Sequence, residues 1–306
     1  MLGGDRAPAT TDLSLLTFST LYPNAEQPNH GVFVENRVRH LVASGEAVTE
    51  VVAPVPFFPS SSGRFGSWGR YARIPVREER HGLEVHHPRF LVVPKLGVAV
   101  APLLLYRSSL PLLRRILAFR PINVIDAHYM YPDGVAAVWL GQKLGIPVVV
   151  TCRGTDVNLI PRYRIPRRLI QGAIADAAAL ITVSAALREA VLELGAPPDK
   201  VTVLRNGVDT RLFAPPSERD AVRVDLGLTN PTLVSVGHLI ERKGHHLVIE
   251  ALQQLPDWQA LIIGDGPERP CLGALIQSFG LSGRVRLLGA RPHAKLPALY
   301  GAADAL

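Results

Sequence analysis

Residues 234–246 read V-S-V-G-H-L-I-E-R-K-G-H-H. Thr232 to Gly237 is a short run rich in apolar and β-branched residues and predicts a strand, and Gly244 to Gln254 has the spacing of a helix. Gly237 closes the strand, and Arg242 and Lys243 stand just before the helix. A strand end feeding a helix N-terminus offers unpaired amides and the positive end of a dipole, and two adjacent cations add charge suited to a diphosphate. The plainer alternative is a glycine turn followed by two solvated basic residues. It is not a Walker loop, because the Gly-Lys-Ser/Thr ending is missing.

Working outward, the same strand-to-helix period repeats. Trp258 to Gly264 predicts a strand, Glu268 to Phe279 a helix, Val285 to Leu288 a strand and Leu296 to Ala303 a helical turn. I-I-G-D-G-P-E-R, residues 262–269, is therefore a second turn at the same sheet edge. There Gly264 and Gly266 let a planar ligand approach the backbone, although G-D-G-P is also an ordinary turn. Arg291, in L-L-G-A-R-P after the next strand, either reaches that crevice or is solvated. Upstream, A-P-P-S-E-R-D-A-V-R-V-D-L-G at 214–227 has prolines, interleaved charges and weak periodicity, which predicts a linker between domains at 1–213 and 228–306.

The longer first domain also alternates. Strands are expected at Leu13 to Phe18, Val48 to Ala53, Glu84 to Val93, Val124 to Ala127, Val148 to Thr151, Ala179 to Val183 and Val201 to Leu204. Helices are expected at Gly31 to Ser44, Ser109 to Phe119, Asp133 to Leu144, Pro166 to Ala178 and Ala185 to Leu194. This is an α/β pattern with mainly parallel strands. Gly31 opens the first helix, where amides can meet a phosphate, or where a glycine merely permits a tight turn. His128, in D-A-H-Y-M-Y-P-D-G, and Asp156, in T-C-R-G-T-D-V-N, each follow a strand directly, the place where open sheets keep their ligands. A core or capping role is the alternative for both.

Composition narrows the classes. The chain has 306 residues, 47% hydrophobic and 19% charged, the balance of a folded protein of two domains. Cys152 and Cys271 lack metal-ligand spacing, which fits a reducing, cytoplasmic setting and no zinc site. The N-terminus has no signal-peptide apolar run, and the stretch Phe90 to Tyr106 is broken by Pro94, Lys95 and Pro102. No G-x-S-x-G, H-E-x-x-H or post-strand G-x-G-x-x-G occurs, which removes serine hydrolase, zinc protease and dinucleotide readings. Net charge is +7. Much of it lies on one flank from Arg64 to Arg120, opposed there by Glu78, Glu79 and Glu84. Such a flank suits a phosphorylated substrate or an anionic membrane, and no nucleic-acid module accompanies it.

Taken in order, P-N-H-G-V-F-V-E-N-R, D-A-H-Y-M-Y-P-D-G, R-G-T-D, I-T-V-S, L-R-N-G-V-D, V-G-H-L-I-E-R-K-G-H, I-I-G-D-G-P and L-L-G-A-R-P resemble family 4 glycosyltransferases. These are retaining, metal-independent enzymes with the GT-B fold of two facing Rossmann-like domains, and the opening loop looks most like bacterial enzymes of surface-polysaccharide assembly. The resemblance implies a nucleotide-sugar donor as substrate and no cofactor. It places Arg242 and Lys243 on the diphosphate, Gly237, Gly264, Gly266 and Arg291 around the donor, and Gly31 on the phosphates from the first domain. It also places His128 near the donor sugar and Asp156 in the counterpart of an H-G-x-D segment, both as catalytic residues. The acceptor would be lipid-linked or a saccharide, and the protein cytoplasmic and peripheral at the inner membrane face.

Three departures stand out. His238 occupies a position where relatives often have arginine, Arg153 replaces the histidine of H-G-x-D, and the chain stops before the family's Glu-x7-Glu segment. The last predicts a truncated, incomplete second domain, inactive as a fragment. The competing class is a non-catalytic sugar-nucleotide-binding or partner subunit.

Overall fold

The computed structural model describes residues 13–92 and 97–306, so the N-terminal residues 1–12, the expected strand end Val93, and Pro94 and Lys95 lie outside the described residues. The chain divides into two units between Gly207 and Val208. The first contains strands β1 (Ser14–Phe18), β2 (Val48–Val52), β3 (Val55–Pro56), β4 (Arg77–Arg80), β5 (Leu83–His86), β6 (Arg89–Phe90), β7 (Val124–His128), β8 (Val148–Cys152), β9 (Ala179–Thr182) and β10 (Val201–Val203). Eight of them form one sheet in the order β10-β9-β8-β7-β1-β2-β5-β4. All its neighbours are parallel except β4 with β5. β3 and β6 pair separately.

Two local features depart from the sequence reading. The expected strand Glu84 to Val93 is broken after His86, and the polar stretch before it is a hairpin, β4 to β5, turning on His81 and Gly82 with φ of 53° and 77°. Both central residues of a type I′ hairpin turn need positive φ, which suits glycine in the second place. The helix expected at Ser109 to Phe119 runs from Gly97 to Leu117, with Pro102 and Pro111 inside it. Pro102 has no N–H to give the carbonyl one turn back, that of Val98. The Tyr131 hydroxyl donates to that carbonyl instead, so a breaker in the sequence is tolerated by a tertiary contact. Leu105, Ser109, Leu113 and Ile116 make the buried face of this helix.

The second unit has β11 (Thr232–Val236), β12 (Gln259–Ile263) and β13 (Val285–Gly289), parallel in that order. Along β12, Ala260 and Ile262 enter one apolar cluster, and Leu261 and Ile263 enter another on the opposite face. A strand buried on both faces must be apolar at successive positions, each isoleucine contributing about 1.5–3 kcal/mol. The stretch read as a linker, 214–227, carries a helix, Arg219–Asp225. Its Val222 packs on the second cluster, and Arg219 and Arg223 bind Asp304 at 2.6 and 3.1 Å. Asp304 in turn accepts from the Thr232 amide at 2.8 Å, tying this helix to the start of β11. No helix among the described residues is long and apolar enough to cross a membrane.

Candidate functional site

In the first unit the chain leaves β1 for β2 on one side and later returns to β1's other side as β7. Ligands of open α/β sheets bind beyond the carboxyl ends of strands at such a reversal. Asp133 organises this place. It is fully buried and accepts from the Thr20 amide at 2.8 Å, the Thr20 hydroxyl at 3.0 Å and the Ser19 hydroxyl at 3.3 Å. Ser19 Oγ also lies 3.1 Å from the His128 carbonyl, so the segments after β1 and β7 are bound together. Burial pushes the Asp133 carboxyl up to about 7, against the lowering effect of the Thr20 and Ser19 donors. Gly31 sits beside this loop with φ of 69°, and a Cβ there would fall 2.3 Å from the Leu21 carbonyl oxygen. Its lack of a side chain is required by the chain's own backbone.

His128, at the end of β7, is completely buried. Arg153 Nη2 donates to its Nδ1 at 2.9 Å. An accepting Nδ1 means a neutral ring with its proton on Nε2, and burial likewise lowers the pKa of this histidine. Asp126 Oδ2 is 3.2 Å from Nε2 but off the direction of a hydrogen bond. Arg153 Nη1 donates to Asn206 Oδ1 at 2.8 Å, and its guanidinium carbon lies 4.9 Å from the centre of the Phe33 ring. Burial, followed by the nearby Arg37 charge, brings the Arg153 pKa down to about 10, which leaves it cationic at neutral pH. Asp156 accepts from the amides of Met130 at 2.7 Å, Gly154 at 2.6 Å and Arg153 at 3.1 Å. Its burial raises the pKa while these donors oppose the rise.

The structure thus gathers His128, Arg153 and Asp156 into one cluster, with Asp156 fixing the backbone that carries Arg153. Sequence reasoning missed Asp126 and Asp133. Asp126 was within reach, because residues two apart on a strand share a face and Asp126 precedes His128 by two.

In the second unit two turns lie directly on each other. The Gly237 amide donates to the Ile263 carbonyl at 2.9 Å, the Leu239 amide to that of Asp265 at 3.0 Å, and the Glu268 amide to that of Leu239 at 3.0 Å. A Cβ on Gly264, whose φ is 146°, would fall 1.8 Å from the Gly237 oxygen, and one on Gly266 would fall 2.5 Å from the Leu239 oxygen. The close approach these glycines permit is that of the neighbouring turn. At Gly237 itself a Cβ would be no nearer than 3.5 Å to His245 Nε2. Arg242 and Lys243 are exposed in the single turn Glu241–Lys243, and the Lys243 chain runs beside Gly237. The helix that follows, His245–Ala251, has seven residues, so the positive charge here rests mainly on the two side chains. Arg291 is exposed beyond β13. Among the described residues none of these three cations has an ion-pair partner, and no group of three or more His, Cys, Asp or Glu is arranged to hold a metal.

The basic flank of the first unit carries less free charge than the sequence suggests. Arg73, Arg77, Arg80 and Arg120 pair with Glu26, Glu84, Glu35 and Glu50 at 2.5–2.9 Å. Beside the reversal point the same unit holds a cavity of about 520 Å³. Thr20, Asn24, Gln27, His30 and Tyr129 supply polar lining, and the rest is mainly apolar.

Residues 30–212 match Glycosyltransferase Family 4, and residues 217–306 match Glycosyl transferases group 1. The chain therefore belongs to glycosyltransferase family 4, and its fold is GT-B. TuaC of Bacillus subtilis, a glycosyltransferase assigned to teichuronic acid biosynthesis, is 28% identical over 85% of this chain and 67% of its own length. One component of the phosphatidylinositol N-acetylglucosaminyltransferase of Arabidopsis thaliana is 30% identical over 62% of this chain and 42% of its own. The chain thus spans from under half to about two thirds of the length of these relatives. Among solved structures, Anabaena HepE in complex with UDP and glucose has a TM-score of 0.65 at 20% identity, covering 95% of this chain and 72% of HepE. Sucrose-phosphate synthase of Thermosynechococcus elongatus has a TM-score of 0.71 at 17% identity, covering 95% and 73%.

Proposed function

We propose that this chain moves a sugar from a nucleoside diphosphate donor to a lipid-linked or saccharide acceptor, with retention of anomeric configuration, in the synthesis of surface polysaccharide or another glycoconjugate. The observation that carries the reading is the pair of unpaired cations, Arg242 and Lys243, beside the stacked turns at Gly237 and Gly264. Departure of a nucleoside diphosphate leaves charge on its phosphates, and fixed cations there lower the barrier. The UDP-bound state of the fold neighbour HepE supports a nucleotide-sugar donor. In the first unit His128 is assigned to the donor sugar, the carbonyl-bound Ser19 ties the segments after β1 and β7 together, Arg153 supplies positive charge, and Asp156 acts as a positioning residue. Arg291 is assigned to the donor and Gly31 to the loop near its phosphates. The protein works at the cytoplasmic face of a membrane, held peripherally.

Replacing Lys243 with Ala in a full-length version is expected to weaken nucleoside diphosphate binding by about 1.5–3 kcal/mol in calorimetry, the range for a hydrogen bond to a charged group. Unchanged affinity would remove the assignment. In this reading the two cations do the work a divalent ion does elsewhere, so EDTA-treated full-length enzyme should keep its activity. Loss of activity restored by magnesium would count against it. The relatives named as one component of a larger transferase favour, as a second reading, a chain that acts only with partner subunits. Turnover of a sugar nucleotide by the purified full-length protein alone separates the two.

A further inference from the structure

The cavity of the first unit has two kinds of lining. One is polar and lies at the sheet's reversal point, with Thr20, His30 and Tyr129 in its wall, the last of these adjacent to His128. The other is apolar and open: Leu91 is 59% exposed and Val98 58%, and both line the cavity. Tyr71 also lines it and begins a chain of aromatic contacts leading away from it. Tyr71 meets Trp68 at 5.8 Å between ring centres, Trp68 meets Phe58 at 5.9 Å, and Phe58 meets Phe65 at 5.4 Å. Trp68 is 42% exposed, Phe65 39% and Phe57 48%.

Exposed apolar side chains gathered around one opening mark a surface that meets something other than water. The charge beside them says what. From Phe57 to Ile74 the sequence contains Arg64, Arg70 and Arg73 and no acidic residue. Arg73 is paired with Glu26, whereas Arg64 lies 5.0 Å over the Phe65 ring and Arg70 has no ion pair among the described residues. Aromatic rings with arginines beside them suit the boundary of an anionic bilayer, where rings enter the headgroup layer and guanidinium groups meet phosphates.

We propose that this aromatic lip docks on an anionic bilayer and that the cavity receives the hydrocarbon chain of a lipid acceptor, its polar head reaching the strand ends at Thr20, His30 and Tyr129. The acceptor role rests on the glycosyltransferase reading, which the proposal narrows from a lipid-linked or saccharide acceptor to a lipid-linked one. It also narrows the membrane contact from the whole flank Arg64 to Arg120 to the segment from Phe57 to Arg70. A mainly apolar cavity with a few polar groups in its wall fits an amphiphile better than a free sugar, which would leave the apolar walls wet.

The test uses full-length protein with phosphatidylcholine vesicles, alone or mixed with phosphatidylglycerol, and with dodecyl phosphate below its micelle concentration. Expected are pelleting with the anionic vesicles that weakens with salt, and quenching by brominated lipid of fluorescence that Trp68→Phe removes. The double variant Phe57→Ser, Trp68→Ser should lower vesicle binding by about tenfold or more. Arg64→Gln with Arg70→Gln, which leaves the apolar surface intact, should abolish the preference for anionic vesicles. Dodecyl phosphate should bind where inorganic phosphate does not, and Ala101→Phe, which narrows the cavity, should weaken it about tenfold. Equal pelleting with neutral and anionic vesicles, unquenched Trp68 in bound protein, a self-associated dimer that hides Trp68, or dodecyl phosphate binding indifferent to Ala101→Phe would each overturn the proposal. Nucleotide binding measured on the same samples reports on the donor site at Lys243 and is expected to be unchanged in every one of these variants, so the donor reading and the lipid proposal fail by different signals.

Discussion

Asp133 shows how much a single buried carboxyl can hold. It joins the segments after two strands through Thr20 and Ser19, at the cost of carrying charge out of water. With its pKa raised to about 7 by burial, the folded state binds a proton that the unfolded chain, at an ordinary carboxylate value, has already released. Its contribution therefore favours folding most at low pH and declines as pH rises from about 4 to about 7, by an amount on the order of a few kcal/mol. Asp133→Asn removes that term. The stability of the native protein relative to the variant, from urea unfolding at pH 5 and pH 8, should fall as pH rises, and a difference independent of pH would show that Asp133 stays ionised throughout. Side-chain chemistry at this place was half legible. His128 and Asp156 could be picked out because each follows a strand, but no pattern along the chain tells that Asp156 is consumed by amides or that Arg153 bonds to His128, since those contacts join residues brought together only by the sheet.

At the level of elements, glycines separate into two kinds. Gly264 has a positive φ and faces the Gly237 oxygen at a distance no Cβ tolerates, whereas Gly237 has room for a methyl group. Gly264→Ala should therefore destabilise the second unit by about 3 kcal/mol or more, from backbone strain and a clash that must push the two turns apart. Gly237→Ala should cost less than about 1 kcal/mol. Thermal unfolding of both variants checks the contrast, and equal losses would contradict it. Most strands of the two larger sheets were readable as short apolar or β-branched runs. The hairpin at His81–Gly82 was missed because its strands, Arg77–Arg80 and Leu83–His86, are short and largely polar. The start of the helix at Gly97 was missed because Pro102 reads as a breaker until Tyr131 is known to satisfy Val98.

At the scale of the molecule, the two units keep separate apolar clusters: Leu16, Ile125 and Val150 lie in one, Leu239, Ile262 and Val285 in another. Damage in one core should then stay local. Hydrogen exchange of Gly264→Ala, read by mass spectrometry, should show faster exchange across β11 to β13 with protection of β7 to β9 unchanged, and loss of protection in both would show that the units fold as one. The second unit begins earlier than a reading by composition places it, because the helix Arg219–Asp225 is only two turns long, and the prolines just before it, Pro215 and Pro216, together with its interleaved charges resemble a linker. The stacked turns of the second unit have a further meaning. Their contact is made by main chain, so the shape at the strand ends is set by Gly264 and Gly266 and by few side chains. Exposed neighbours such as His238 are then free to vary. Side chains at these strand ends can therefore be exchanged one at a time without disturbing the form, because chemistry and shape are carried there by different atoms.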